Sequence, residues 1–182
     1  MIKTLIINGS PRKNGDTVSL INELKANLTG EIKIVNTYYD KISPCIDCRY
    51  CWIHAMCSID DGMQEIYSLL NEVDNIIIAS PLYFSQLTGS LLNFASRLQY
   101  FYVKKYIKKD SSFSLKAKKG VLILVGGGNG GPDRAISMAA TLFHEMGAEM
   151  VDYVYSLNTD KISTKSDENA LTKIKEIALM LN

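Results

Sequence analysis

The chain has 182 residues, of which 47% are hydrophobic, and its formal net charge is +1. This length can bury one substantial core, so a single domain over residues 1–182 is expected. A near-neutral charge gives no general attraction to nucleic acid or anionic membranes, and no apolar run approaches the roughly 20 residues of a membrane span. The apolar N-terminal stretch ends at Ile7 without a signal-peptide pattern, so we expect a cytoplasmic protein.

The first 28 residues read as a strand, a polar loop and a helix. Residues 2–7 are apolar and β-branched, which predicts a short buried strand, and residues 8–17 are polar. Apolar residues then recur at helical spacing, namely Val18, Leu20, Ile21, Leu24 and Leu28. Asp16 or Thr17 stands where a capping side chain is expected.

The loop of residues 8–17 has the composition of a phosphate-binding turn. Free N–H groups and the positive end of a helix dipole attract an anion, Arg12 and Lys13 add charge, and Ser10 and Thr17 add hydroxyl donors. The loop lacks both the G-x-G-x-x-G dinucleotide fingerprint and the P-loop spacing, since Asp16 follows Gly15. A single terminal phosphate, such as that of FMN, fits better. The alternative is an ordinary strand-to-helix turn with a good cap.

The rest of the chain alternates between strands and helices. The predicted strands cover residues 32–37, 75–79, 121–125 and 150–157, and the predicted helices cover residues 60–70, 88–102, 132–146 and 167–181. With the first strand and helix, this predicts a doubly wound α/β fold, in which helices cover both faces of a five-stranded parallel sheet. Ligands of such sheets bind beyond the carboxyl ends of the strands.

Two further loops fall at that edge of the predicted sheet. In residues 80–89, Pro81 restricts the backbone and Tyr83 and Phe84 offer flat apolar surface for a ring system. Residues 126–131 are nearly all glycine, so a planar ligand can approach the main chain. The alternatives are aromatic core filler for the first and a flexible tip for the second. Three such loops at one edge favour a binding site.

All four cysteines lie between residues 45 and 57, in the pattern C-x2-C-x2-C-x5-C. Bacterial ferredoxins use the C-x2-C-x2-C run in binding 4Fe-4S clusters, and a fourth cysteine could close the same cluster here. A zinc site and metal-free thiols are the alternatives, although zinc sites usually pair two separated C-x-x-C units. Disulfides are disfavoured in a reducing cytoplasm. His54, inside this loop, is interpreted as exposed.

Three further features lie outside these loops. The lysine-rich excursion of residues 103–119 is expected to be a solvated loop, although it could steer an anionic donor. Tyr100, Phe101 and Tyr102 are candidates for a subunit interface, as in a homodimer or homotetramer. Arg97 either satisfies carbonyls at a helix end or has a functional role.

The chain resembles the flavodoxin-fold NAD(P)H-dependent FMN reductases in Gly9-Ser10-Pro11-Arg12, Asn14-Gly15-Asp16-Thr17 and Ser80-Pro81-Leu82-Tyr83-Phe84. The cysteine pattern followed by Asp60-Asp61-Gly62-Met63 resembles the iron–sulfur flavoprotein branch. The resemblance implies a flavodoxin-like three-layer fold. It also implies FMN binding by Ser10, Arg12, Lys13, Asn14, Asp16, Thr17, Pro81, Leu82, Tyr83, Phe84, Gly127, Gly128 and Asn129, and a 4Fe-4S cluster on Cys45, Cys48, Cys51 and Cys57 in a loop of residues 43–60. The chain departs from the family at Asn93 and Ser96-Arg97, where members often have Lys and Asp-Arg.

We therefore expect an FMN-dependent oxidoreductase or electron-transfer flavoprotein. It would move electrons between NAD(P)H or a ferredoxin-like donor and a small-molecule or protein acceptor. No side chain is assigned as catalytic, because the flavin itself carries the electrons. The alternatives are a cluster-free quinone or nitro reductase, a non-enzymatic flavodoxin-like carrier, and a thiol or zinc redox sensor.

Overall fold

The computed structural model describes all 182 residues, from Met1 to Asn182. The strands are β1 (Lys3–Asn8), β2 (Glu31–Asn36), β3 (Asn75–Pro81), β4 (Lys118–Val125) and β5 (Ala148–Ser156). The α-helices are α1 (Asp16–Asn27), α2 (Tyr50–Ile53), α3 (Met63–Glu72), α4 (Gly89–Ser96), α5 (Gln99–Tyr102), α6 (Asp133–Glu145) and α7 (Glu168–Leu181). A π-helix covers Val103–Ile107, and a 3-10 helix covers Thr164–Ser166. No helix combines the length and the apolar character that crossing a membrane requires.

The five strands form one parallel sheet in the order β2-β1-β3-β4-β5. This is the flavodoxin-like order, in which the chain first winds to one side of β1 and then to the other. The three central strands are apolar along most of their length, as expected where both faces of a sheet are covered. The predicted fold class is confirmed.

Alternate residues of the central strands supply two separate cores. Leu5 and Ile7 belong to the core formed with α3, α4 and α6, whereas Ile6 between them belongs to the core formed with α1 and α7. All three are essentially inaccessible to solvent. Burying one such side chain contributes about 1.5–3 kcal/mol to stability. Because successive side chains of a strand point to opposite faces of the sheet, the same strand stabilises a helical layer on each face.

The predicted helix of residues 88–102 is interrupted. α4 ends at Ser96, whose hydroxyl donates to the carbonyl of Asn93 at 2.6 Å, and the N–H of Arg97 donates to the carbonyl of Phe94 at 3.1 Å. These shorter-range bonds tighten the last turn and redirect the chain into α5. The interruption brings Ser96 and Arg97 toward the cysteine loop.

The aromatic residues proposed for a subunit interface largely serve the interior. Phe101 is 2% exposed, and its ring lies 5.4 Å from that of Tyr67 and 5.3 Å from that of Phe113. The hydroxyl of Tyr100 donates to the carbonyl of Ala55 at 2.5 Å. The prediction was therefore wrong for Phe101, because α5 turns this residue toward α3 instead of outward.

The interpretation of residues 103–119 as a solvated loop was also wrong in part, because Lys118 lies inside β4 and is buried. Its ammonium donates to the carbonyls of Lys116 and Met146, the latter at 3.0 Å where α6 ends. Burial, and then the positive charge of Lys116, lower the pKa of Lys118 from 10.5 to about 8. A free carbonyl at a helix end, and not a carboxylate, holds this lysine.

The pH dependence of stability is expected to report on Lys118. Between pH 8 and 10.5 the unfolded chain keeps a proton that the folded chain has released, so stability rises with pH across this window. The pKa difference corresponds to about 3 kcal/mol. Urea unfolding of the wild type and of Lys118→Met, from pH 7.5 to 10.5, measures the effect. The free energy of unfolding should rise more steeply in the wild type, and parallel profiles would contradict this account.

Candidate functional site

The loop between β1 and α1 owes its shape to short polar side chains. The N–H of Gly9 donates to the carbonyl of Ala79 at 2.7 Å, which keeps the loop at the sheet edge. The N–H of Ser10 donates to Asn8 Oδ1 at 3.0 Å, and Ser10 Oγ accepts the N–H of Arg12 at 3.2 Å. Such side-chain turns curve the backbone without a helix or strand, so the N–H groups that follow are free to face a ligand.

The first turn of α1 corrects the predicted cap. The N-cap residue is Gly15, and no side chain caps the helix. The carboxylate of Asp16 instead accepts hydrogen bonds from Ser163 Oγ at 3.1 Å and from the N–H and hydroxyl of Thr164, both at 3.0 Å. Burial opposes ionisation of Asp16, but these bonds outweigh it and lower the pKa of Asp16 below its ordinary value. Asp16 thus fastens the 3-10 helix to α1.

Because nothing caps α1, its first donors remain available. The N–H groups of Thr17 and Val18 have no acceptor within the protein. Free N–H groups at the positive end of a 12-residue helix form the arrangement that binds phosphate in α/β proteins. The donor set therefore fits a terminal phosphate.

A cleft of about 210 Å³ lies at this edge of the sheet. Segments that follow four of the five strands line it, as the rule for parallel sheets requires. The lining residues are Ser10, Pro11, Arg12, Gly15, Asp16 and Thr17, then Pro81, Leu82 and Tyr83, then Val125 and Gly127, and finally Thr159 and Asp160.

Helix α4 connects this cleft to the cysteine loop. At its start, the hydroxyl of Thr88 donates to the carbonyl of Gly9 at 2.8 Å, and Ser90 Oγ donates to the carbonyl of Thr37 at 2.6 Å. At its end, Ser96 Oγ accepts the N–H of Cys45 at 2.9 Å. One rigid element therefore contacts the loops after β1 and β2 and the first cysteine.

The four cysteines line a second cavity, together with Arg97 and Tyr100. All four thiols are free. Positive φ angles turn the backbone at Asp47 (49°), between the first and second cysteines, and at Arg49 (56°), between the second and third. No group of three or more Cys, His, Asp or Glu side chains is arranged around a point where a single metal ion would sit. His54 is exposed, as predicted, and its ring stacks on Tyr50.

The thiols differ in their surroundings. A hydrogen bond with Ser58, 3.2 Å from Cys48 Sγ, lowers the pKa of Cys48. Burial, and then the proximity of Cys57, raise the pKa of Cys51.

Arg97 is buried behind the cysteine loop with 1% of its side chain exposed, and it forms a 2.8 Å ion pair with Asp61. Burial opposes ionisation of Asp61, but hydrogen bonds from Arg97 and from the N–H groups of Ser43 and Met63 lower its pKa. Arg97 does satisfy carbonyls, as one interpretation predicted, but they belong to Ser43 and Ile59 outside its own helix.

Comparison with known proteins identifies the family. The family model described as NADPH-dependent FMN reductase matches residues 2–161. The chain belongs to the NADPH-dependent FMN reductase family. The protein is therefore an FMN-dependent oxidoreductase, and the resemblance noted in the sequence is confirmed.

Curated relatives of this chain carry the name iron-sulfur flavoprotein. The iron-sulfur flavoprotein of Methanosarcina thermophila is 30% identical over 149 residues, which cover 80% of this chain and 74% of the relative. An iron-sulfur flavoprotein of Archaeoglobus fulgidus is 31% identical over 140 residues, 75% of this chain and 69% of the relative. An FMN-dependent NADH-azoreductase from Bacillus anthracis, solved with FMN, is 17% identical with a TM-score of 0.72, covering 100% of this chain and 99% of that one. This last likeness supports the fold.

Five of the residues predicted to contact FMN lie outside the cleft in this member of the FMN reductase family, namely Lys13, Asn14, Phe84, Gly128 and Asn129. Lys13 Nζ lies over the ring of Tyr39, 4.8 Å from its centre. Phe84 is 98% exposed, because Phe84 and Ser85 have positive φ angles (53° and 62°) at the tip of a tight turn closed between Tyr83 and Gln86. The other eight predicted residues line the cleft.

Five residues of the cleft were not among those predicted to contact FMN. Pro11, Gly15 and Val125 lie in or next to predicted loops, whereas Thr159 and Asp160 lie in a segment that was not predicted to contribute. The N–H of Thr159 donates to the carbonyl of Gly126 at 3.0 Å, and the N–H of Asp160 donates to that of Gly127 at 3.2 Å. The carboxylate of Asp160 lies beside Gly127, where a Cβ would be 2.6 Å from it and would require the Asp160 side chain to move. Both residues follow a strand at the same sheet edge, so the rule that located the other loops also applies to them.

Proposed function

We propose that this member of the FMN reductase family is an electron-transfer flavoprotein with FMN in the four-segment cleft and a 4Fe-4S cluster on Cys45, Cys48, Cys51 and Cys57. It would move electrons between NAD(P)H or a ferredoxin-like donor and a small-molecule or protein acceptor. The observation that carries the cluster assignment is that all four cysteines of the chain line one cavity. The relatives named iron-sulfur flavoprotein support it.

In this proposal the chain's own groups hold FMN by its two ends. The free N–H groups at the start of α1, the hydroxyls of Ser10 and Thr17 and the charge of Arg12 bind the phosphate. Pro81, Leu82 and Tyr83 border the ring, and Gly127 lets it approach the backbone. FMN, when bound, exchanges electrons singly or in pairs. The residues of the cleft bind and orient it and exclude water, and none is assigned a proton-transfer role.

The cysteine cavity fits a cluster better than a single ion. A single tetrahedral ion draws four ligand atoms to one point, and no such point exists here. A 4Fe-4S cluster would instead be held by one thiolate from each of Cys45, Cys48, Cys51 and Cys57, and it would supply one-electron chemistry there. Four thiols in one cavity with a buried cation at its wall suit a soft, anionic metal–sulfur group.

A cluster-free NAD(P)H-dependent reductase of quinones or nitro compounds is the second candidate. All four thiols are free, and this candidate requires no metal on them. Within either candidate, we propose that residues 1–182 form a single flavodoxin-like domain, since one sheet carries both cores. A homodimer or homotetramer is proposed from exposed apolar side chains such as Trp52, Ile53 and Met56.

Anaerobic purification followed by a visible spectrum, with iron and acid-labile sulfide assayed on the same sample, tests the proposal. We expect flavin bands over a broad shoulder that bleaches on reduction, with about four irons per chain for the four cysteines. Flavin bands without iron or sulfide would reject the cluster and leave the cluster-free reductase. A protein that binds no FMN after FMN is added would reject both.

A further inference from the structure

The guanidinium of Arg97 contacts both ends of the cysteine loop. Nη1 donates to the carbonyl of Ser43 at 2.9 Å and to Asp61 at 2.8 Å. Nη2 donates to the carbonyl of Ile59 at 3.3 Å and lies 3.4 Å from the sulfur of Cys57. Ser43 precedes the first cysteine by two residues, and Ile59 follows the last by two. A single planar group therefore fixes where the loop leaves the body of the protein and where it returns.

The preceding residue adds a contact to the first cysteine. Ser96 Oγ accepts the N–H of Cys45, so two consecutive residues at the end of α4 hold Cys45 and Cys57. The end of α4 therefore contacts two cysteines that are 12 positions apart in the sequence. The other two cysteines, Cys48 and Cys51, lie between these anchors.

Only one of the two terminal nitrogens of the buried Arg97 guanidinium contacts a carboxylate. Asp61 pairs with Nη1, while Nη2 contacts the carbonyl oxygen of Ile59 and the sulfur of Cys57. The Nε–H of Arg97 is buried and has no acceptor within the protein. A guanidinium without a full set of partners is costly to bury, which is expected where a further negative group belongs nearby.

We propose that Arg97 is a positioning residue for the cysteine loop, holding the sulfur of Cys57 in place and setting a permanent positive charge beside the cluster. The inference rests on the proposed function, in which Cys57 binds an iron. A cluster becomes more negative when it takes up an electron, so a fixed cation beside it favours the reduced form. Hydrogen bonds to sulfur act in the same direction.

Replacing Arg97 with lysine tests the anchoring of the loop separately from the effect of the charge. It keeps the positive charge, but its donors converge on one nitrogen and do not reproduce the planar fork that reaches Ser43 and Ile59 together. Arg97→Lys is therefore expected to loosen the loop while retaining most of the electrostatic effect. Arg97→Gln is expected to lose both. Arg134→Gln removes an exposed arginine on α6 and serves as the matched control.

Limited trypsin digestion of the metal-free, full-length chain containing FMN tests the anchoring. The side chain of Arg49 is 66% exposed in the loop, so cleavage after it reports loop opening. We expect this cleavage to be about tenfold faster in Arg97→Gln and Arg97→Lys, as for the loss of one charged hydrogen bond, and unchanged in Arg134→Gln. Should Arg97→Gln not fold, Arg97→Lys decides. Equal rates in the wild type and the folded variants would overturn the anchoring role.

A redox titration of the iron-loaded proteins tests the charge. At a fixed solution potential, the ratio of reduced to oxidised cluster should fall about tenfold in Arg97→Gln. For a one-electron couple this equals about 59 mV. Arg97→Lys should stay near the wild type. An unchanged ratio in Arg97→Gln would overturn the electrostatic role. Failure of the wild type to bind iron would reject the cluster itself, whereas the trypsin comparison would still decide the anchoring.

Discussion

Replacing Cys51 with serine is expected to remove iron and acid-labile sulfide from the protein while FMN remains bound. A serine hydroxyl stays protonated near neutral pH and is a poor ligand for iron in a sulfide cluster, so the cluster would lose one of its four attachments. The FMN cleft shares no lining residue with the cysteine cavity, so flavin content should not change. Iron, sulfide and flavin assays on one anaerobic preparation measure all three.

His54→Ala is the matched control for this substitution. His54 lies between the third and fourth cysteines but is exposed, and its ring contacts only Tyr50 among the aromatic residues. Iron content should therefore equal that of the wild type. If Cys51→Ser keeps four irons, the assignment of this cysteine is wrong. If the wild type contains one zinc and no sulfide, the site is a zinc site.

Removing the two buried hydroxyls of the phosphate loop is expected to weaken FMN binding by about 10³-fold, because each hydrogen bond to a charged group contributes about 1.5–3 kcal/mol. Ser10 and Thr17 are 4% and 2% exposed, so water replaces their hydroxyls poorly. The double variant Ser10→Ala, Thr17→Val keeps similar side-chain shapes. Titration of the flavin-free protein with FMN, followed by flavin fluorescence, gives the dissociation constants.

Riboflavin and Lys13→Ala provide the controls. Riboflavin has no phosphate, so its affinity should be nearly the same for the wild type and the double variant. Lys13 was predicted from the sequence to bind FMN, but its ammonium lies over Tyr39 outside the cleft. Its removal should therefore change FMN affinity by less than about threefold, as for an exposed charge. A large loss in Lys13→Ala, or an equal loss for riboflavin, would contradict the proposed arrangement.

The fold was predictable because each strand and helix shows its own pattern of apolar residues in the sequence. Central parallel strands read as continuous apolar runs, as in Ile76–Ile78, and the intervening helices show their periodicity in the sequence. Lys118 was assigned to a loop because lysine is rarely buried. Its place in β4 depends on the carbonyl of Met146, which lies 28 positions later and is brought near only by the folded α6.

The site was predictable to the level of loops but not of side chains. Topology alone placed three loops at one edge of the sheet, and it equally implied the segment of Thr159 and Asp160. Which residues face inward depends on turn geometry, as the outward Phe84 shows. The partner of Arg97, Asp61, lies 36 positions away, and no local pattern connects the two.

Insertions and deletions should be tolerated less well in α4 than in the cysteine loop, because α4 contacts both the FMN cleft and the cysteines. The helix contacts the first loop through Thr88 and the cysteine loop through Ser96, which are eight positions apart, a span of about 12 Å. One inserted residue would rotate Ser96 and Arg97 by about 100° away from the cysteines. The exposed stretch around Trp52 and Ile53 carries no comparable constraint. Homologous chains should therefore vary in the spacing before the fourth cysteine while keeping the length of α4.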